Sequence, residues 1–336
     1  MQFGLRLVGE LATAMDPAAG PARNNRIEEG VMAFDRLILT LFAAASVTSA
    51  AQAQGAGEDA PPPAFPETEI FLFDYDAGSA GDALSNGRNV TQRTGYDNQP
   101  YFTPGGETFL YSRDDGTQTD IWEYDIARGT HTQITRTPES EFSPTPSPDN
   151  RTITMVFERN NSIWQIDRSA PDKPEWVLEA SGVTEPVGYF ARDHELGNVF
   201  YWSRYGFNVA LTSADEPAYH FITGHAVPST PHLVPRTTHF SFVHRQTNEE
   251  VWIKEFDPDN KSIRPLTPLV GTNANYSWTP DGAILQIEGT KLYRWREGGK
   301  GWKVIADLAD HGIASANRIA VSPDGKRIAV VGLARE

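Results

Sequence analysis

Tyr96 to Thr135 reads YDNQPYFTPGGETFLYSRDDGTQTDIWEYDIARGTHTQIT, and it holds one complete structural unit. YFTPGGETFLYS within it is strand, turn, strand. Pro104 presets φ, and the glycines after it tolerate the left-handed backbone that a tight hairpin needs. DIWEYD (Asp120–Asp125) follows with large residues at alternate positions, the period of a strand whose two faces differ. THTQIT supplies a fourth strand.

The unit then recurs. TPSPDNRTITMVF carries Pro148, YSWTPDGAILQI carries Pro280, and IAVSPDGKRIAVV carries Pro323. A degenerate copy, HLVPRTTHFSFVH, carries Pro235, and another, GYFARDHELGNVFYWS, places Phe190 at the proline position. The spacing is about 43 residues, the length of one four-stranded propeller blade. Third strands continue as SIWQID (Ser162–Asp167), EVWIKEFD (Glu250–Asp257) and KLYRW (Lys291–Trp295), and fourth strands as EWVLEA, YHFIT, SIRPLT and WKVIADL. The last unit stops two strands short at Glu336. EIFLFDYD (Glu69–Asp76) and NVTQRT (Asn89–Thr94) resemble the missing pair. The expected fold is therefore all-β: a six-bladed β-propeller whose N-terminal strands complete the C-terminal blade and close the ring, leaving no unpaired inner edge. Trp122, Trp164, Trp202, Trp252, Trp278 and Trp295 fall where neighbouring blades should pack, each ring burying on the order of 150–250 Å².

This recurring pattern, from the opening stretch and again in SEFSPTPSPDN and NSIWQID, resembles the propeller repeats of TolB-like periplasmic proteins over residues 69–336, with poorer matches around Phe190 and Pro235. The resemblance implies a six-bladed propeller, a periplasmic setting and a binding role without catalysis.

The segment before the propeller reads differently. Arg36 precedes an apolar run of eleven residues, Leu37 to Val47, and Ala51-Gln52-Ala53 follows as a small-residue cleavage pattern. That is a secretory signal peptide, since a bilayer span takes about 20 apolar residues. Residues 1–31 read as an over-extended start ahead of Met32, 32–53 as the signal peptide and 54–68, with Pro61-Pro62-Pro63, as a disordered spacer. The expected product is periplasmic or secreted. The absence of cysteine excludes disulfides, thiolate metal sites and a lipidated cysteine. A net charge of -15 argues against nucleic acid and anionic lipid. The mature chain carries no transmembrane segment in this reading and is expected as a monomer.

Function, in a propeller, is sought where the innermost strands begin around the channel mouth. The candidate residues there are Asp97, Gln99, Glu141, Ser143, Glu185, His232, Asn275 and Arg318. Three carboxylates on adjacent blades suggest an acidic funnel for a cation, amine or basic peptide, and the same oxygen ligands are those Ca²⁺ prefers. The alternative is the wet, polar wall that any propeller channel has. No other metal or cofactor is expected. Five histidines lie between His220 and His244, but a metal site needs imidazoles from different blades, and His232 alone is placed to face the channel. Asp125, Asp167 and Asp257 share a register at strand ends and read as turn formers rather than catalytic acids. No Gly-x-Ser-x-Gly elbow, phosphate loop, HExxH pair or EF-hand loop occurs. The expected function is an exported binding propeller that presents its mouth to a periplasmic or envelope protein, a peptide or a small ligand. The alternative is a metal-assisted lyase or lactonase acting on a sugar acid or lactone.

Overall fold

The computed structural model describes residues 65–158, 161–178, 186–213 and 218–335. The signal-peptide segment and most of the expected spacer lie outside these residues. Six antiparallel four-stranded sheets make up the fold. The first blade is β3 (Asp97–Phe102), β4 (Thr108–Asp114), β5 (Thr119–Asp125) and β6 (Thr130–Gln133), in that order from the channel outward. The inner strands of the next four are β7 (Glu141–Pro146), β11 (Val187–Arg192), β15 (His232–Leu233) and β19 (Tyr276–Trp278). In the sixth, β23 (Ile313–Val321) and β24 (Arg327–Ala334) pair with β1 (Glu69–Tyr75) and β2 (Leu84–Asn89). Both ends of the propeller thus share a blade, as the truncated last repeat requires.

The Pro-Asp-Gly repeat has a local cause. In three blades a hydroxyl at the head of the turn accepts a backbone N–H four or five residues on: Ser147 from Thr152 at 3.0 Å, Thr279 from Ala283 at 3.0 Å and Ser322 from Arg327 at 2.9 Å. The left-handed position falls on Asn150, Gly282 and Gly325 (φ 56°, 83° and 68°). The two degenerate copies keep the turn by other means. Arg236 takes the left-handed backbone (φ 67°) after Pro235, and Asp193 Oδ1 accepts from the N–H of Glu195 at 2.9 Å. Asp193 N–H bonds Asn198 O as Thr103 N–H bonds Thr108 O, so His194, not Phe190, sits at the proline position. Without its proline, the third blade reads four residues out of register from sequence.

Burial falls into six apolar clusters, one at each blade interface. EIFLFDY in β1 is buried on both faces because its alternate residues serve two of them. Ile70 and Leu72 pack with Phe102, Phe109 and Tyr111 of the first blade, while Phe71 and Phe73 join Leu285, Ile287 and Leu292 of the fifth. Each such side chain contributes roughly 1.5–3 kcal/mol on full burial. The tryptophans divide. Trp202 and Trp295 are buried, and Trp122, Trp164 and Trp278 are half-buried at interfaces. Trp252 belongs to none of the six clusters and donates to Glu250 instead (3.0 Å).

Two boundaries differ from the sequence reading. The outermost strand of the closing blade is Leu84–Asn89, not Asn89–Thr94. Its central residues are solvent-exposed, so no apolar alternation marks it. Residues before 69 also pack on the propeller: Thr68 is buried and donates its N–H to Gly95 O (3.0 Å), and Phe65 packs on Tyr96 and Phe142 (centroids 4.9 and 5.6 Å). Asp125, Asp167 and Asp257 accept backbone N–H groups two or three residues on, at 2.8–2.9 Å, as turn formers do.

Close pairing with β23 makes Gly332 in β24 a sensitive position. A Cβ there would sit 2.4 Å from Ser315 O and 3.2 Å from Ala316, both in the neighbouring strand. Gly332→Ala is expected to lose about 1–3 kcal/mol, read as a lower denaturation midpoint with unchanged m-value.

Candidate functional site

The inner strands enclose a channel of about 360 Å³. Its mouth is set by one residue from each blade: Gln99, Ser143, Tyr189, Thr230, Asn275 and Arg318, each four residues ahead of the head of its hairpin turn. Sequence spacing placed Glu185 in the third blade; the corrected register puts Tyr189 there. Glu185 itself lies outside the described residues. Four of the six inner strands bulge next to this level, with register breaks at 98/101, 142/145, 187/189 and 316/318. A bulge releases residues from the ladder and re-aims their side chains, which is why bulges gather at functional sites.

Gln99 and Ser143 are left-handed (φ 56° and 57°), a conformation costing an ordinary residue roughly 1–2 kcal/mol. The compensation at Gln99 is visible: its N–H donates to Asn98 Oδ1 at 2.8 Å. Its own Oε1 accepts from Ser143 N–H at 2.7 Å and from Ser112 Oγ at 2.8 Å, tying the first two blades together at the mouth. Since a backbone N–H can only donate, the amide oxygen must be the atom facing Ser143. Nε2 is then left as a donor on a residue that lines the channel.

Arg318 spans the opening. Its guanidinium donates to Thr230 Oγ1 at 3.2 Å and lies over the Tyr189 ring, 5.4 Å from the centroid, on the opposite blade. Deeper in, His232 stacks edge-on against Tyr276 at 4.7 Å. Burial, with Arg318 nearby, pushes its imidazole down to about 4, so it is neutral at pH 7. Tyr101 is 45% exposed, but into the channel, where removal from bulk water pushes its hydroxyl above the usual tyrosine value. Arg192 also lines the wall, donating to Thr154 Oγ1 (3.1 Å) and Gln165 Oε1 (2.7 Å).

The carboxylates expected at the mouth are elsewhere. Asp97 and Glu141 are fully buried and do not line the channel. Asp97 pairs with Arg93 at 3.1 Å, and Glu141 accepts from Thr135 Oγ1 at 2.7 Å and from Thr137 Oγ1. Each acid thereby anchors the connection entering its blade. Burial raises Asp97 to about 6 against the pull of Arg93, and Glu141 to about 7 against its two hydroxyl donors. The charges on the described lining are Arg192 and Arg318, so the wall is cationic rather than an acidic funnel. Neither acid is at the mouth to serve a Ca²⁺ ion. Among the described residues, no group of three or more His, Asp or Glu is placed to hold a metal. The structure brings together Gln99, Ser143, His232, Asn275 and Arg318. Tyr101, Tyr189, Arg192 and Trp278 were missed from sequence, because only the register of each hairpin turn identifies them.

No family model matches the sequence, and no curated protein is significantly similar to it. Solved structures do share the fold. A protein assigned as TolB from Agrobacterium tumefaciens superposes with a TM-score of 0.62 at 14% identity, covering 79% of this chain and 98% of that one. TolB from Acinetobacter baumannii gives 0.51 at 14% identity, with 91% and 69% covered. An oligogalacturonate lyase in complex with manganese gives 0.50 at 13%, with 74% and 80% covered. The chain is a six-bladed propeller with TolB-type structures among its neighbours, and at these identities the likeness is one of fold.

Two consequences can be measured. Among the described residues Ser143 Oγ has no hydrogen-bond partner, while its N–H bond to Gln99 would survive loss of the side chain. Ser143→Gly should therefore raise stability by up to about 1 kcal/mol in thermal or chemical denaturation. A carboxyl whose folded pKa exceeds its unfolded value gives stability that is complete below the unfolded value and lost as pH rises through the folded one. For Glu141 that window runs from about 4.5 to about 7. Glu141→Gln cannot ionise, so its stability relative to wild type should improve between pH 5 and pH 8, by up to about 3 kcal/mol.

Proposed function

We propose that this chain is an exported, non-catalytic binding propeller whose channel mouth receives a protein segment or a small ligand. The observation that carries this reading is the mouth itself. Six residues at one level, five of them lining the channel, stand at bulged or very short inner strands around a passage with aromatic walls. Concave, mostly apolar sites with a few convergent polar groups are where ligands bind. Two of those residues hold costly backbone conformations, which persist where the surroundings over-determine them, commonly at binding sites.

Export, to the periplasm or beyond, rests on the Arg36–Ala53 segment. A periplasmic or envelope protein or peptide is the natural partner class there, with the chain itself a monomer. The TolB neighbours fit this setting, and the nidogen/laminin complex, a neighbour at TM-score 0.54 and 10% identity, is a case of the fold within a protein complex. No helix among the described residues is long and apolar enough to cross a membrane.

The test is site-specific photo-crosslinking in an exporting bacterial host. A photoreactive side chain at Asn275, in the mouth, should give a discrete adduct in the periplasmic fraction. The same group at Val304, an exposed outer-strand position, should give none. Adducts from Val304 alone would move the binding face to the rim. Turnover of a uronate or lactone by the purified protein would make it an enzyme.

A further inference from the structure

The Arg318 guanidinium brings more donors to the mouth than its described contacts use. A guanidinium has five N–H groups in a rigid fork. Arg318 gives one to Thr230 Oγ1, rests its face on Tyr189, and among the described residues pairs with no carboxylate. Gln99 Nε2 is left as a donor by the bonds that fix Oε1. The acids at the start of the first two inner strands, Asp97 and Glu141, are committed inside the wall to Arg93 and Thr135. What the mouth lacks is an anionic acceptor able to take two parallel N–H bonds, and a carboxylate has that geometry.

The charge and the walls narrow the choice further. A chain carrying -15 repels polyanions at long range, so a single negative charge suits this site better than a phosphate dianion. One level below Arg318 the channel is lined by Tyr101 and His232, which come from opposite blades, and by the small Ala191 and Ala320 of another opposite pair, with Leu233 and Trp278 beneath. These walls accept an apolar or aromatic body, and about 360 Å³ is near the lower end of small-molecule sites.

We infer that the mouth binds a monovalent carboxylate with an apolar body, its carboxylate held by the Arg318 fork and Gln99 and its body seated between Tyr101 and His232. This rests on the mouth being the binding site. The carboxylate belongs either to a small organic acid or to the free end of a peptide, and both present the same chemistry to Arg318.

The experiment is calorimetric titration of the full chain at pH 7 with 3-phenylpropionate, its neutral amide and inorganic phosphate. The expected result is one-to-one binding of the acid, with the amide and phosphate at least tenfold weaker. Arg318→Gln should weaken the acid at least tenfold while leaving the thermal midpoint unchanged, and Arg318→Lys should recover part of the loss. A phenylalanine-terminated peptide, with free or amidated C-terminus, separates the sources: a free terminus that outbinds the small acid points to a chain end, and the reverse to a metabolite-sized acid. Equal affinity for acid and amide, full retention in Arg318→Gln, or tightest binding of phosphate would overturn the inference. If the acid fails to bind while the Asn275 crosslink persists, the carboxylate assignment falls and the mouth remains the binding site. Loss of both would remove the mouth as well.

Discussion

Everything in this molecule depends on the ladder between β1 and β24. Glu69 to Asp74 pair residue for residue with Gly332 to Arg327, joining segments from opposite ends of the propeller. A radial array of sheets has no central core of its own. Its apolar side chains lie in six separate interfaces, and each interface needs a blade on both sides. β1 serves two of those interfaces at once, so the closing ladder sustains the burial of Phe71 and Phe73 toward the fifth blade and of Ile70 and Leu72 toward the first. Closure therefore acts on packing well beyond its own hydrogen bonds.

The same closure decides where charge can go. Connections between blades run beside the inner strands, and their polar groups need partners where water is excluded. Asp97 and Glu141 supply those partners. Asp97 pairs with Arg93 in the incoming connection, and Glu141 takes hydroxyls from Thr135 and Thr137. Their raised proton affinity is the cost of that burial. With the acids withdrawn into the wall, the channel takes its character from Arg318, Arg192 and aromatic rings, inside a protein that is strongly acidic overall.

How much of this was legible follows from the physics of each part. The repeat, the blade number and the shared sixth blade were readable because the Pro-Asp-Gly turn and the paired apolar runs leave a strong periodic mark. The third blade was misaligned because Asp193 performs with a side-chain carboxylate what Ser or Thr and Pro perform elsewhere. The outer strand Leu84–Asn89 left no mark because its exposed face needs no apolar residue. Which mouth residues face the channel was out of reach for a subtler reason. A one-residue bulge flips every side chain before it relative to those after it. Asp97 lies on the far side of such a bulge from Tyr101, and no residue type announces the bulge when Gln99 rather than glycine adopts the left-handed turn.

That break in the ladder has a consequence for how such a protein can change over time. Residues released by the bulges contribute little to strand pairing, so their identity is tied to folding mainly where, as at Gln99 and Tyr189, they make contacts of their own. Each blade offers one position to the same opening. A lineage could rewrite the six letters around the channel one blade at a time, acquiring a new specificity while the scaffold beneath stays intact.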